Sequence, residues 1–373
     1  MNSAPATLAN WRTAPFNRWA FHHVRELIPS ADIPNDPHRI KDLPAAHRDL
    51  RLKIEPDAGE PMDLAQFLAE TQTDGFVVLH RGAIVAEHYA SGMTPETPHI
   101  LMSVTKSMLG LLFGQLGLDA GRQVIDVLPE LAGTAYEGAT LRHLLDMRAG
   151  IAFDEDYLAT SGTIVDYRRA TGWNPLLPSE QPSDLHSFYQ VLKRSDGPHG
   201  GRFHYVSPNT DLLGWVIERA TGRRFAELMS EKIWKPIGAE RSAYITVDRL
   251  GAPRTAGGMC VTIRDLARVG QWIIDNPSPW IDDIWRNGER EAWDGGSFVA
   301  YFPGMPIRYR SKWYTLDGES PLLFGLGIHG QNLFIDRRNQ LVIAKVSSQA
   351  MPLDAARIAL TMRAVSQLRK FFS

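Results

Sequence analysis

A single cysteine, Cys260, stands in 373 residues, which excludes an internal disulfide and is too few for a structural zinc site. That scarcity agrees with a reducing compartment, and Cys260 reads as a small buried hydrophobe. A surplus of charge is missing as well: 40 basic residues nearly balance 42 acidic ones, for a formal charge of −2. Such totals carry no electrostatic footprint for nucleic acid or an anionic membrane surface. Long apolar runs are absent too. The stretch from Met108 to Leu118 is about eleven residues and contains Gln115, well short of the roughly eighteen that a membrane-spanning helix needs. Met1 to Trp11 lacks the basic and apolar regions of a secretion signal, so the expected location is the cytoplasm. No tandem repeat is visible.

Familiar catalytic signatures are also missing. The chain has no Gly-x-Ser-x-Gly elbow, no His-Glu-x-x-His zinc helix and no phosphate-binding Gly-x-x-x-x-Gly-Lys loop. Its 12 histidines are scattered, and the adjacent pair His22-His23 cannot point both rings at one metal from a regular element. The expectation is an enzyme or binder without metal or organic cofactor.

What remains is an ordinary globular composition, 44% hydrophobic and 22% charged, enough for one large or two intergrown domains. Phe76 to His80 and Ala83 to Tyr89, joined at Arg81-Gly82, read as a β-hairpin. From Ser103 the apolar spacing turns helical, and Leu141–Met147, Asp211–Ala220, Phe225–Trp234 and Thr262–Ile274 continue it, with Thr262 as an N-cap. After about Tyr301 strands return at Leu322–His329, Asn332–Asp336 and Leu341–Ser347, before a last helix over Leu353–Phe372. Short turns imply antiparallel pairing. The expected architecture is α+β: a central antiparallel sheet flanked by helices, built from residues 1–100 and 245–373, with a mostly helical region, 101–244, inserted between its strands. The Pro-rich stretches from Pro29 to Pro61 and from Asn174 to Ser183 read as surface connections.

An active site would lie where sheet and helices meet, and Ser103-Val104-Thr105-Lys106 falls at that change. Residues i and i+3 share a helix face, so the Lys106 ammonium would stand beside the Ser103 hydroxyl. A serine needs a base to take its proton, and a desolvated lysine near the positive end of a helix has its pKa pushed toward that role. The alternative is a capping serine followed by a solvated lysine. Tyr205-Val206-Ser207-Pro208-Asn209, on a polar loop before the next helix, offers a phenol and an amide that could converge on Ser103, or a merely structural tyrosine. The Gly-rich strand Gly325–Gln331 lets a substrate approach the backbone and lends an N–H to an oxyanion.

Taken together, these residues resemble the penicillin-recognising serine hydrolases, in particular their class C β-lactamase-like branch, and within it the 6-aminohexanoate-dimer hydrolases and carboxylesterases. The resemblance covers most of the chain, including Phe16–Phe21, Leu101–Ser107, Asp154–Tyr157, Asp265–Gly270 and Gly327–Leu333. It implies a β-lactamase-like fold in which Ser103 is the nucleophile, Lys106 its proton partner, and Tyr205 the acid that protonates the leaving group. The N–H groups of Ser103 and Ile328 would form the oxyanion hole. Tyr157 matches a tyrosine that closes over the substrate and contacts its amide nitrogen, and Asn209, Tyr314 and His329 are further substrate-binding candidates, with Trp173 and Trp313 as pocket aromatics.

Two departures stand out. His329 lies near the place where the wider family has the lysine of Lys-Thr-Gly, and Asn209 follows Tyr205 by four residues where the family spacing is two, which leaves Ser207 in the nearer position. The mixed charge of Val165–Arg169 does not promise an acidic grip on a substrate amino group. The expected activity is hydrolysis of small esters or amides, with no nucleic-acid or membrane partner and with a homodimer compatible. The rival readings are β-lactamase or D,D-peptidase action, and a fold retained only for ligand binding.

Overall fold

The computed structural model describes residues 5–56, 58–195 and 197–373. The hairpin Thr73–His80 and Ala83–Tyr89 forms one edge of a seven-stranded antiparallel sheet. From there the order continues through Leu341–Ser347, Gln331–Asp336, Leu322–Gly327 and Trp313–Leu316 to Ile307–Arg310 at the far edge. N- and C-terminal segments thus share one sheet, with Phe76 paired to Lys345 where they meet.

Both faces of this sheet are covered, which is why its central strands Leu322–Gly327, Gln331–Asp336 and Leu341–Ser347 are buried along their whole length. Val77, Leu79, Leu333 and Val342 enter one core, while Phe76, Val78, Phe334 and Ile343 enter another. The helix Ile263–Asp275, capped by the Thr262 side chain on Asp265 N, lies on the first face through Leu266, Ala267, Val269 and Ile273. The C-terminal helix Ala355–Phe371 covers the second face through Leu360, Ala364 and Leu368. Between Val104 and Trp234 the regular elements of the described chain are helices joined by loops, apart from the two-residue strands Ile151–Ala152 and Lys193–Arg194.

A second sheet of four short strands has the order Ser30–Ile33, Ala243–Thr246, Met259–Val261, His99–Ile100. Its presence corrects the reading of the Pro-rich stretch from Pro29 as surface connection: Ser30–Ile33 pairs with Ala243–Thr246, and Leu52 and Ile54 are buried. Strands of two to four residues are too short to show a period in sequence. This small sheet positions the site, because Ile100 pairs with Cys260 and the chain then passes through Leu101 and Met102 into Ser103.

Candidate active site

Ser103 sits at the head of the helix Val104–Gln115, half-buried, and its hydroxyl caps no backbone amide. The capping-serine alternative therefore fails. Instead Lys106 Nζ donates to Ser103 Oγ at 2.8 Å and to the Ala256 carbonyl at 2.6 Å. Lys106 is 1% exposed, and burial, its largest influence, together with Arg254 pulls its pKa from 10.5 to about 7, against the opposing pull of Glu155 and Asp211. Met102, just before the serine, has φ +44°, a left-handed conformation that is costly for a residue with a side chain.

Ala256 owes its place to Asp211 on the helix Pro208–Thr221. The fully buried Asp211 carboxylate accepts from Ala256 N at 2.7 Å, from Arg254 and from the Tyr167 hydroxyl. Tyr205, on the loop before that helix, lies with its ring 4.9 Å from Lys106 Nζ and stacks on Phe298 at 4.8 Å. Burial raises the Tyr205 phenol well above its ordinary range, while hydrogen bonding with Ser103 acts in the opposite direction. At neutral pH the site therefore holds a protonated phenol and a lysine poised to be neutral.

The end of the strand Leu322–Gly327 closes the other side. A Cβ on Gly327 would stand 2.7 Å from the Leu101 carbonyl oxygen and 3.0 Å from Ser103 N, so only glycine lets the strand pass so near the serine. Ile328 follows it into the pocket beside Ser103. Among the described residues neither the Ser103 nor the Ile328 N–H donates to a protein acceptor. Gly325, Gly327 and Gly330 also have the spacing of a dinucleotide loop, but the chain turns there into an antiparallel strand, so no helix N-terminus is presented to a pyrophosphate.

Ser103, Lys106, Tyr205 and Ile328 are thus brought together, and Tyr157 and Trp173 line the same pocket. Others are not. Asn209 is fully buried in the helix itself, two residues in, with its amide oxygen accepting from Tyr136 at 3.1 Å. Ser207 takes its place at the pocket wall and donates through N–H and hydroxyl to Glu155. Trp313 lies in the core, whereas Tyr314, packed among Tyr309 and Phe324, shares a cluster with Tyr205 and stays within electrostatic reach of Tyr205, Glu155 and Tyr157. His329 is 3% exposed, bonded through Nδ1 to the Gln349 carbonyl at 2.7 Å and set edge-on to Phe21. Burial and Arg12 lower its pKa to about 4, so it supplies no cation. Arg12, Arg254 and Asp211 were silent in the sequence, since only the fold gathers them around Ser103.

A serine paired with a buried lysine, beside a neutral phenol and two unengaged amides, is the arrangement of an acyl-transferring serine hydrolase. Residues 63–366 match the beta-lactamase family, and the chain belongs to it. The chain is 36% identical over 359 residues to the 6-aminohexanoate-dimer hydrolase of Paenarthrobacter ureafaciens, covering 93% of this chain and 89% of that protein. A solved structure from Bacillus anthracis, provisionally named 6-aminohexanoate-dimer hydrolase, superposes with a TM-score of 0.88 at 27% identity over 99% of both chains. A D-stereospecific amidohydrolase from Streptomyces sp. shares the fold alone, with a TM-score of 0.59 at 17% identity over 80% of this chain and 98% of that one.

Proposed function

We propose that this hydrolase cleaves small esters and amides through an acyl-enzyme on Ser103. The observation that carries the mechanism is the 2.8 Å bond from a buried lysine to the serine hydroxyl. Neutral Lys106 takes the Ser103 proton as Oγ attacks the carbonyl carbon. The N–H groups of Ser103 and Ile328 hold the resulting oxyanion. The protonated Tyr205 phenol gives its proton to the leaving nitrogen or oxygen, the C–N or C–O bond breaks, and Lys106 returns a proton to Tyr205. Water then repeats the attack on the acyl-serine and releases the carboxylic acid. In this reading Tyr157, at the pocket wall, contacts the leaving nitrogen.

The relative from Paenarthrobacter makes the 6-aminohexanoate dimer the first amide to test. Antibiotic hydrolysis is not part of this reading, because His329 is uncharged and turned onto Gln349 where the wider family holds a cation. A cytoplasmic location is supported by the lone, buried and unpaired Cys260. Among the described residues no helix is long and apolar enough to cross a membrane. A homodimer is supported by the exposed Leu176, Leu177 and Val191, and light scattering that finds only monomer would refute it.

The test is Ser103→Ala, which should lower kcat toward 4-nitrophenyl acetate and toward the dimer at least about 10³-fold while leaving the circular dichroism spectrum unchanged. Retained turnover in that variant would overturn the mechanism.

A further inference from the structure

Three guanidiniums, those of Arg12, Arg168 and Arg254, line the pocket that opens on Ser103. Two of them are committed to the protein. Arg254 is paired with the buried Asp211 carboxylate. Arg168 donates to the carbonyls of Ala159 at 2.9 Å, Asp156 at 3.1 Å and Tyr157 at 3.0 Å, which fixes the loop that carries Tyr157. Glu155, the acidic residue on the pocket wall, is spent on the Ser207 N–H and hydroxyl. Arg254 thus has a carboxylate partner and Arg168 three carbonyls with Glu155 and Asp156 close by, and one positive charge is left over.

That charge is at Arg12. Its guanidinium lies 5.5 Å from the Trp11 ring and 5.9 Å from the Trp173 ring, and Nη2 donates to Asn174 Oδ1. Among the described residues it has no carboxylate partner, and its Nε is shielded from solvent without an acceptor. Burial, then repulsion by Arg168 and Arg254, lowers its pKa to about 9, so it stays charged at neutral pH but is poorly compensated. A pocket that holds a partly buried cation with no carboxylate partner, in the same cavity as its nucleophile, leaves the counter-ion to the ligand.

Resting on the acyl-enzyme reading above, we infer that Arg12 selects substrates carrying a second, ionised carboxylate besides the ester or amide that is cleaved. Arg12 shares its pocket with both Ser103 and Tyr157, so the inference covers a carboxylate on either side of the scissile bond.

The experiment compares kcat/KM for 4-nitrophenyl hydrogen adipate with that for its methyl ester, and for 4-acetoxybenzoate with that for methyl 4-acetoxybenzoate, each corrected for spontaneous hydrolysis. A charge-assisted bond predicts a preference of about 10- to 100-fold for the anionic member over the neutral ester in at least one pair, the adipate pair reporting a carboxylate on the acyl portion. Arg12→Gln should reduce that ratio about tenfold or more, and Arg12→Lys should restore part of it. A preference seen with 4-acetoxybenzoate instead moves the carboxylate to the leaving group and keeps the role of Arg12. Equal rates within both pairs in the wild type, or an unchanged ratio in Arg12→Gln, would overturn the inference. Acylation of Ser103 by the neutral esters, read by intact mass in the same samples, separates that failure from a failure of the mechanism itself.

Discussion

Lys106 has to lose its proton near neutrality to serve as a base, and its surroundings have that effect. The sign follows from its environment: the folded pKa lies near 7, well below 10.5, so the neutral form exists above about pH 7 in the folded protein. The kcat/KM for a neutral ester should therefore rise with pH through a midpoint near 7 and level off above it. Lys106→Arg, whose side chain stays protonated, should lower turnover at least about 10³-fold at every pH. A flat profile from pH 5 to 9 would contradict a lysine base. At this scale the sequence was informative for Ser103, Lys106 and Tyr205, whose spacing and surroundings already suggested chemistry. It could not reveal Arg12 or Asp211, because neither stands in a local pattern with the serine, and each acquires its partner only across more than forty residues of chain.

The helix Val104–Gln115 connects the site to the sheet. A Cβ on Gly110 would stand 2.1 Å from the Ser311 carbonyl oxygen, and one on Gly114 would stand 2.2 Å from the Trp280 ring, whose indole donates to the Gly110 carbonyl at 2.9 Å. Small residues on this face let the helix lie against the turn between Ile307–Arg310 and Trp313–Leu316. Gly110→Ala forces backbone away from backbone and should cost roughly 1–3 kcal/mol, read as a lower Tm; an unchanged Tm would contradict the packing. The longer helices and five of the seven strands were legible because their apolar runs are long enough to show a period, whereas the four-residue strands Ile307–Arg310 and Trp313–Leu316 were not read. The four-stranded sheet was not, since its strands are short and one follows a proline. Asn209 shows a similar limit: it lies four residues from Tyr205 in sequence, yet the helix direction turns its side chain onto Tyr136.

At the scale of the molecule, one apolar cluster contains Val77, Leu79 and Leu333 of the sheet together with Leu112, Leu144 and Leu212 of the helical insertion. The two regions, 101–244 and the remainder, therefore bury each other's surface, and neither has a separate core on the side where Ser103 lies. Calorimetry should show one unfolding transition with equal calorimetric and van't Hoff enthalpies, whereas two resolved transitions would contradict a shared core. The location of the site follows from this arrangement. The large sheet supplies Gly327 with Ile328 just after it, the helix Val104–Gln115 supplies Lys106, the loop before Pro208–Thr221 supplies Tyr205, and the small sheet delivers Ser103 between them.

The central claim, an acyl-enzyme on Ser103, is tested most directly by quenching the protein with acid during turnover of 4-nitrophenyl acetate and measuring its intact mass, followed by peptide mapping. The account predicts a burst of nitrophenol and one acetyl group per chain on the peptide containing Ser103. Turnover with no adduct, or an acetyl group mapped to another residue, would contradict it.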